Sequence, residues 1–140
     1  MKKKIAVAIA ATALTLFANA SPASADVVRN EGFVAIRTSA GYELCVGVME
    51  GRDPFDSNSD QKARFKAYAG TGCQGWLERK RYNADGSVQY NWTKVSDYYW
   101  FSDGQAWKET GFHWNGTNAG SRVCVLDTSV GKKECSTGVW

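Results

Sequence analysis

Histidine is nearly absent from this 140-residue chain, which has one, His113, and proline is scarce, with two. A zinc site built on paired histidines is therefore excluded, as is the His-Glu-x-x-His helix of metalloproteases. The chain also has no nucleophile-elbow serine, no phosphate-binding glycine loop and no Cys-x-x-Cys pair, so three common routes to enzymatic chemistry lack a motif. Beyond residue 25 no apolar run approaches the ~20 residues that span a bilayer. An excess of charge is missing too. Three of the 17 basic residues are Lys2, Lys3 and Lys4, whereas all 14 acids follow Ala25, so residues 26–140 carry equal numbers of each sign. Global charge gives no reason to expect nucleic acid or an anionic membrane as partner. No cofactor or metal is expected.

What is present at the N-terminus is a targeting pattern. Lys2 to Lys4 form a positive segment, Ile5 to Phe17 an apolar one, and Ala23-Ser24-Ala25 a small-x-small cleavage site. This is the layout of a secretory signal peptide over residues 1–25, in a bacterial style, followed by one secreted β domain over 26–140. The apolar stretch is too short for a membrane anchor, and no cysteine follows the cleavage site to take a lipid. Release outside the cell is expected, or into the periplasm if the source has an outer membrane.

Cys45, Cys73, Cys124 and Cys135 make an even set, which in an exported domain points to two disulfides. Leu44-Cys45-Val46 and Val123-Cys124-Val125 each set a cysteine in an apolar strand, and each is followed by a turn-rich stretch and a second cysteine close to Gly and Trp. That local likeness pairs Cys45 with Cys73 and Cys124 with Cys135, although it is too short to count as a repeat.

Short alternating runs separated by Gly, Asp, Asn and Ser predict an all-β fold, a small antiparallel sandwich or closed barrel. Four hairpins are expected: 33–37 with 42–49, 76–82 with 87–93, 98–101 with 105–109 around Asp103-Gly104, and 121–126 with 132–135. In the second, Val88, Tyr90 and Trp92 are expected to share a face. Residues 59–70 fit either a strand, with Lys62, Arg64 and Lys66 alternating against Ala63, Phe65 and Ala67, or a capped helix; the alternation favours the strand. Along Arg79-Lys80-Arg81 the same alternation sends Lys80 to one face and the arginines to the other.

Aromatic residues are concentrated between Tyr90 and Trp114, and Tyr98-Tyr99-Trp100-Phe101 has rings on both faces of its strand. Rings alone fill a small core economically, but sugar rings also stack on Trp and Tyr while amides bind their hydroxyls. The expected function is a secreted, non-catalytic binding module. Its face would comprise Tyr99, Trp100, Trp107 and Trp114 with Asn91 and Gln105, and would engage polysaccharide or cell-wall glycan. Gln105-Ala106-Trp107 has the Gln-x-Trp form of ricin-type lectin repeats, in a single copy.

Two other readings use other residues. The loop at 50–60 offers Pro54 and Phe55 between two cysteines, as an exported protease inhibitor or antagonist would present an anchor to a secreted protease. Its Asp56, Asn58 and Asp60 alternate like the start of a calcium loop, but Gln61 and Ala67 stand where such a loop needs Gly and Glu. His113 would be the acid-base residue of a small hydrolase or toxin, with a carboxylate and an arginine not identifiable from sequence. Intact mass of the exported protein should show Asp26 as its first residue, and a retained Met1 would overturn the signal-peptide reading.

Overall fold

The structure is a computed structural model, described here for residues 28–52, 60–114 and 118–138. The signal segment, Pro54, Phe55 and Asn115-Gly116-Thr117 lie outside these residues. Two antiparallel sheets face each other, with ten strands: β1 Val28–Arg37, β2 Glu43–Arg52, β3 Asp60–Ala67, β4 Gly72–Tyr82, β5 Val88–Lys94, β6 Tyr99–Ser102, β7 Lys108–Glu109, β8 His113–Trp114, β9 Ala119–Asp127 and β10 Lys132–Cys135. The first sheet runs β1-β2-β3, and β7 and β8 share the outer edge of β3; the second runs β10-β9-β4, and β5 and β6 share the outer edge of β4. Residues 60–67 are the strand that the alternation of Lys62, Arg64 and Lys66 predicts, with Gln61, Ala63, Phe65 and Ala67 buried on its inner face.

The two sheets pack tightly where two glycines face inward. A Cβ at Gly47 in β2 would lie 2.7 Å from Val123 Cγ2 and 3.0 Å from Val125 Cγ1 of β9. At Gly75 in β4 it would run into the ring of Phe65 in β3. That ring stacks on Phe101 at 5.5 Å and, more inclined, on Tyr99 at 6.0 Å. Cys45 and Cys73 join the sheets beside these contacts, and Met49 and Leu77 continue the core on the other side. The surrounding strands carry one pattern: Cys45-Val46-Gly47-Val48-Met49-Glu50 and Cys73-Gln74-Gly75-Trp76-Leu77-Glu78. In both, Cys, Gly and Met or Leu point inward and Glu points outward, as a period of two requires.

Both expected disulfides are present, and they do different things. Cys45–Cys73 crosses between sheets, whereas Cys124–Cys135 joins directly opposed residues of β9 and β10 on the outer face of the second sheet. Both fit an oxidising environment. Among the described residues no helix is long and apolar enough to cross a membrane.

Three of the four expected hairpins form, as β1-β2, β4-β5 and β9-β10. The third does not. Asp103-Gly104 makes its turn, with Gln105 N donating to Ser102 O at 3.3 Å, but β6 pairs with β4 whereas β7 crosses to the other sheet and pairs with β3. There, Ala63 N donates to Thr110 Oγ1 and Thr110 N to Ala63 O. Satisfying the buried edge of β3 outweighs the short-range hairpin, because an unpaired buried backbone group costs a hydrogen bond.

Gly75→Ala should destabilise the fold by about 2 kcal/mol or more, since the methyl meets a packed ring rather than a flexible side chain. Denaturant unfolding should show that loss, while Gly111→Ala, where the added carbon meets nothing within 4 Å, should change little.

Candidate functional site

The outer face of the second sheet is built around Glu78. Its carboxylate is almost fully covered and accepts from Trp76 Nε1 (2.8 Å), Arg122 Nε (2.8 Å), Arg122 Nη2 (2.6 Å) and Lys133 Nζ (3.1 Å). Burial opposes the charge of Glu78, but these donors outweigh it and hold the carboxyl below its ordinary pKa. The two cations lie over rings, Arg122 4.4 Å from the centroid of Trp92 and Lys133 5.1 Å from that of Trp76. Tyr98 meets Trp76 edge-on at 5.1 Å, and Lys94 Nζ stands 3.9 Å over Tyr98.

A matching arrangement covers the first sheet. There Glu50 binds Arg64 (2.6 Å) and Lys62 (3.2 Å), and Lys62 also binds Glu109 (3.1 Å). Arg64 stands over Trp107 and Lys62 over Phe112, at 5.0 and 5.4 Å. Arg52 pairs with Asp60 and also covers Phe112.

The expected aromatic residues are distributed over three places. Tyr99 faces the core against Phe65. Trp107 lies under Arg64 on the first sheet, and Trp114, 61% exposed, sits on β8 opposite Asp60. Trp100 belongs to the second sheet, opposite Gln74, and is 65% exposed. Tyr98, two residues before it and 49% exposed, shares its face. The four rings therefore do not assemble into one surface, and Tyr98 is the neighbour of Trp100 that the sequence reading missed. Its signal was the strand period itself, since 98 and 100 share a face and 99 and 101 the other.

Gln105 adjoins Trp100. Its Oε1 accepts from Ser102 N at 3.0 Å, which leaves the amide nitrogen as a donor. Trp100, Phe101, Ser102, Gln105 and Gly72 line a shallow recess of about 230 Å³. Asn91 is elsewhere, on β5 beside the far end of β4, and its Oδ1 accepts from Trp92 N. A β-bulge between Arg79 and Arg81 also separates Tyr90 from Trp92. Trp92 lies under Arg122 on the outer face, whereas Tyr90 lies against Arg79 and Arg81 on the inner side. The expectation that Val88, Tyr90 and Trp92 share one face fails here, because an extra residue in one strand reverses its alternation.

His113 faces inward, opposite Gln61 and half-buried. Burial and the charge of Arg79 push its pKa down, with Asp97 pulling the other way. Burial likewise lowers the Arg79 guanidinium; Tyr90, which accepts a hydrogen bond from it, opposes this, while Arg81 adds to it. A larger recess of about 510 Å³ lies at the turns, lined by Arg37, Tyr42, Glu43, Tyr68 and Ala69. Glu78 also lies close to the sulfurs of Cys124 and Cys135, but the disulfide leaves no thiolate to ligate a metal.

Compared with protein-family profiles, curated proteins and solved structures, the chain matches none.

Because Glu78 is held below its ordinary pKa, its contribution is complete above that value and is lost as pH falls through the lowered one. Glu78→Gln should cost about 1–3 kcal/mol at neutral pH. Denaturation midpoints should then fall less steeply on acidification in the variant than in the parent.

Proposed function

We propose that this protein is a secreted, non-catalytic binding module that engages polysaccharide or cell-wall glycan through the outer face of β6. The observation that carries the reading is Trp100: a large ring, two-thirds exposed, with no ring or cation against it among the described residues. Exposing an indole to water sacrifices burial worth about 2 kcal/mol, and its flat face suits the C–H face of a sugar ring.

Several neighbours support that use. The backbone of β6 is held by β4 along Gly72–Gly75 and by the packing of Tyr99 and Phe101 on Phe65, so the ring sits on a rigid element. Tyr98, just before β6, packs edge-on against Trp76 on the same face, and Gln74 and Gln105 stand beside Trp100 with amide groups suited to hydroxyls. The inhibitor reading depends on Pro54 and Phe55, outside the described residues. The hydrolase reading depends on a histidine turned inward and half-buried.

Trp100→Ala should abolish retention on the insoluble polysaccharide or wall preparation that the parent binds, at least about tenfold in affinity. Its melting temperature should stay within about 2 °C of the parent, as for an exposed residue. A parent that binds no member of a broad panel of plant, fungal and bacterial wall glycans would overturn the reading.

A further inference from the structure

The outer face of the second sheet has a consistent composition. Along β4 and its neighbours it carries Tyr82, Trp92, the covered Trp76, Tyr98 and Trp100, interleaved with Lys80, Arg122, Lys133 and Lys94. Every one of the four cations stands over a ring: Lys80 over Tyr82 at 5.1 Å, Arg122 over Trp92, Lys133 over Trp76 and Lys94 over Tyr98. Trp100 alone carries neither cation nor second ring.

Against four cations the strands of this face set one acid among the described residues, Glu78, with Asp97 in the loop before Tyr98. The oxygens of Glu78 are already taken by Trp76, Arg122 and Lys133. Lys94 lies opposite Glu78 in the strand register but turns to Tyr98 instead, and neither Lys94 nor Lys80 has a carboxylate within ion-pair distance among the described residues. The excess is local, because residues 26–140 are balanced overall. A positive surface on a neutral domain attracts anions at short range, within a Debye length of about 8–10 Å.

From this composition we infer that the glycan met by this face is acidic, a polysaccharide whose sugar units carry carboxylate groups. The inference rests on the reading of Trp100 above and names the chemistry of its ligand. A sugar ring stacked on Trp100 brings the next unit of the chain beside Tyr98, where the ammonium of Lys94 makes no ion pair among the described residues. Single-stranded nucleic acid would also seek rings and cations, but it requires a series of bare rings for successive bases. Here Trp92, Trp76 and Tyr98 are capped by cations, which leaves one bare stacking platform and suits a sugar chain with one stacked ring and flanking charge.

The test uses the mature protein with alginate, polygalacturonate and hyaluronan, each beside the carboxyl-reduced form of the same polysaccharide, and a single-stranded oligonucleotide. The parent should bind at least one acidic form about tenfold more tightly than its reduced partner. Lys94→Gln should weaken binding to the acidic form about threefold and narrow the ratio between acidic and reduced forms, and an unchanged ratio would remove Lys94 from the inference. Equal affinity for acidic and reduced forms would overturn the inference while the binding-module reading stands. Binding to no glycan at all, in this set or in the broader panel, would overturn both. Tighter binding to the oligonucleotide than to every polyuronate would replace the acidic glycan with nucleic acid.

Discussion

The close approach of two sheets at Gly47 and Gly75 governs the rest of this domain. Neither position has room for a side chain, so Val123, Val125 and the ring of Phe65 come down onto bare backbone. That proximity lets Cys45 reach Cys73 across the interface and seals the inner cysteines, Met49 and Leu77 from water. A domain this small buries a limited area, and here a disulfide at its centre supplements that core. The inward residues of β6, Tyr99 and Phe101, complete it by stacking on Phe65.

The outer faces follow from the same geometry. In β2 and β4 the residue after the inward Met49 or Leu77 is a glutamate pointing out, and each glutamate gathers two cations from neighbouring strands. Each of those cations then lies over an aromatic ring. A covered carboxylate is tolerated only when it is paired and hydrogen-bonded, and pairing it with cations whose flanks rest on rings satisfies both demands. The two faces differ at one edge. On the second sheet Tyr98 and Trp100 extend the face beyond the cluster; Trp100, like Trp114 on the first sheet, has no ring or cation against it among the described residues, and it differs from Trp114 in having Gln105 and a recess beside it.

Much of the architecture was legible in local pattern. Alternation identified most of the strands, including the ambiguous segment that forms β3 over Asp60–Ala67, and the setting of the cysteines indicated both pairings. The repeated Cys-x-Gly-x-Met/Leu-Glu of β2 and β4 was also present in the chain, but its meaning depends on the two strands facing each other. What local pattern missed were the β6-to-β7 crossing and the separation of Tyr90 from Trp92. In the first, the open edge of β3, distant in sequence, competed with a well-formed turn; in the second, a bulge opposite Lys80 inverted the alternation. Neither competitor lies within the segment that it redirects.

By itself the sequence determined the all-β class and the alternation of most strands, because these depend on neighbours a few positions apart and on the period of two, whereas the two disulfide pairings that it pointed to are completed only by the approach of the strands. Only the tertiary structure decided which sheet each ring joins. Tyr99 went to the core, Trp107 and Trp114 to one outer face and Trp100 to the other, because strands distant in sequence compete for the same open edges and the winner decides where every attached side chain points.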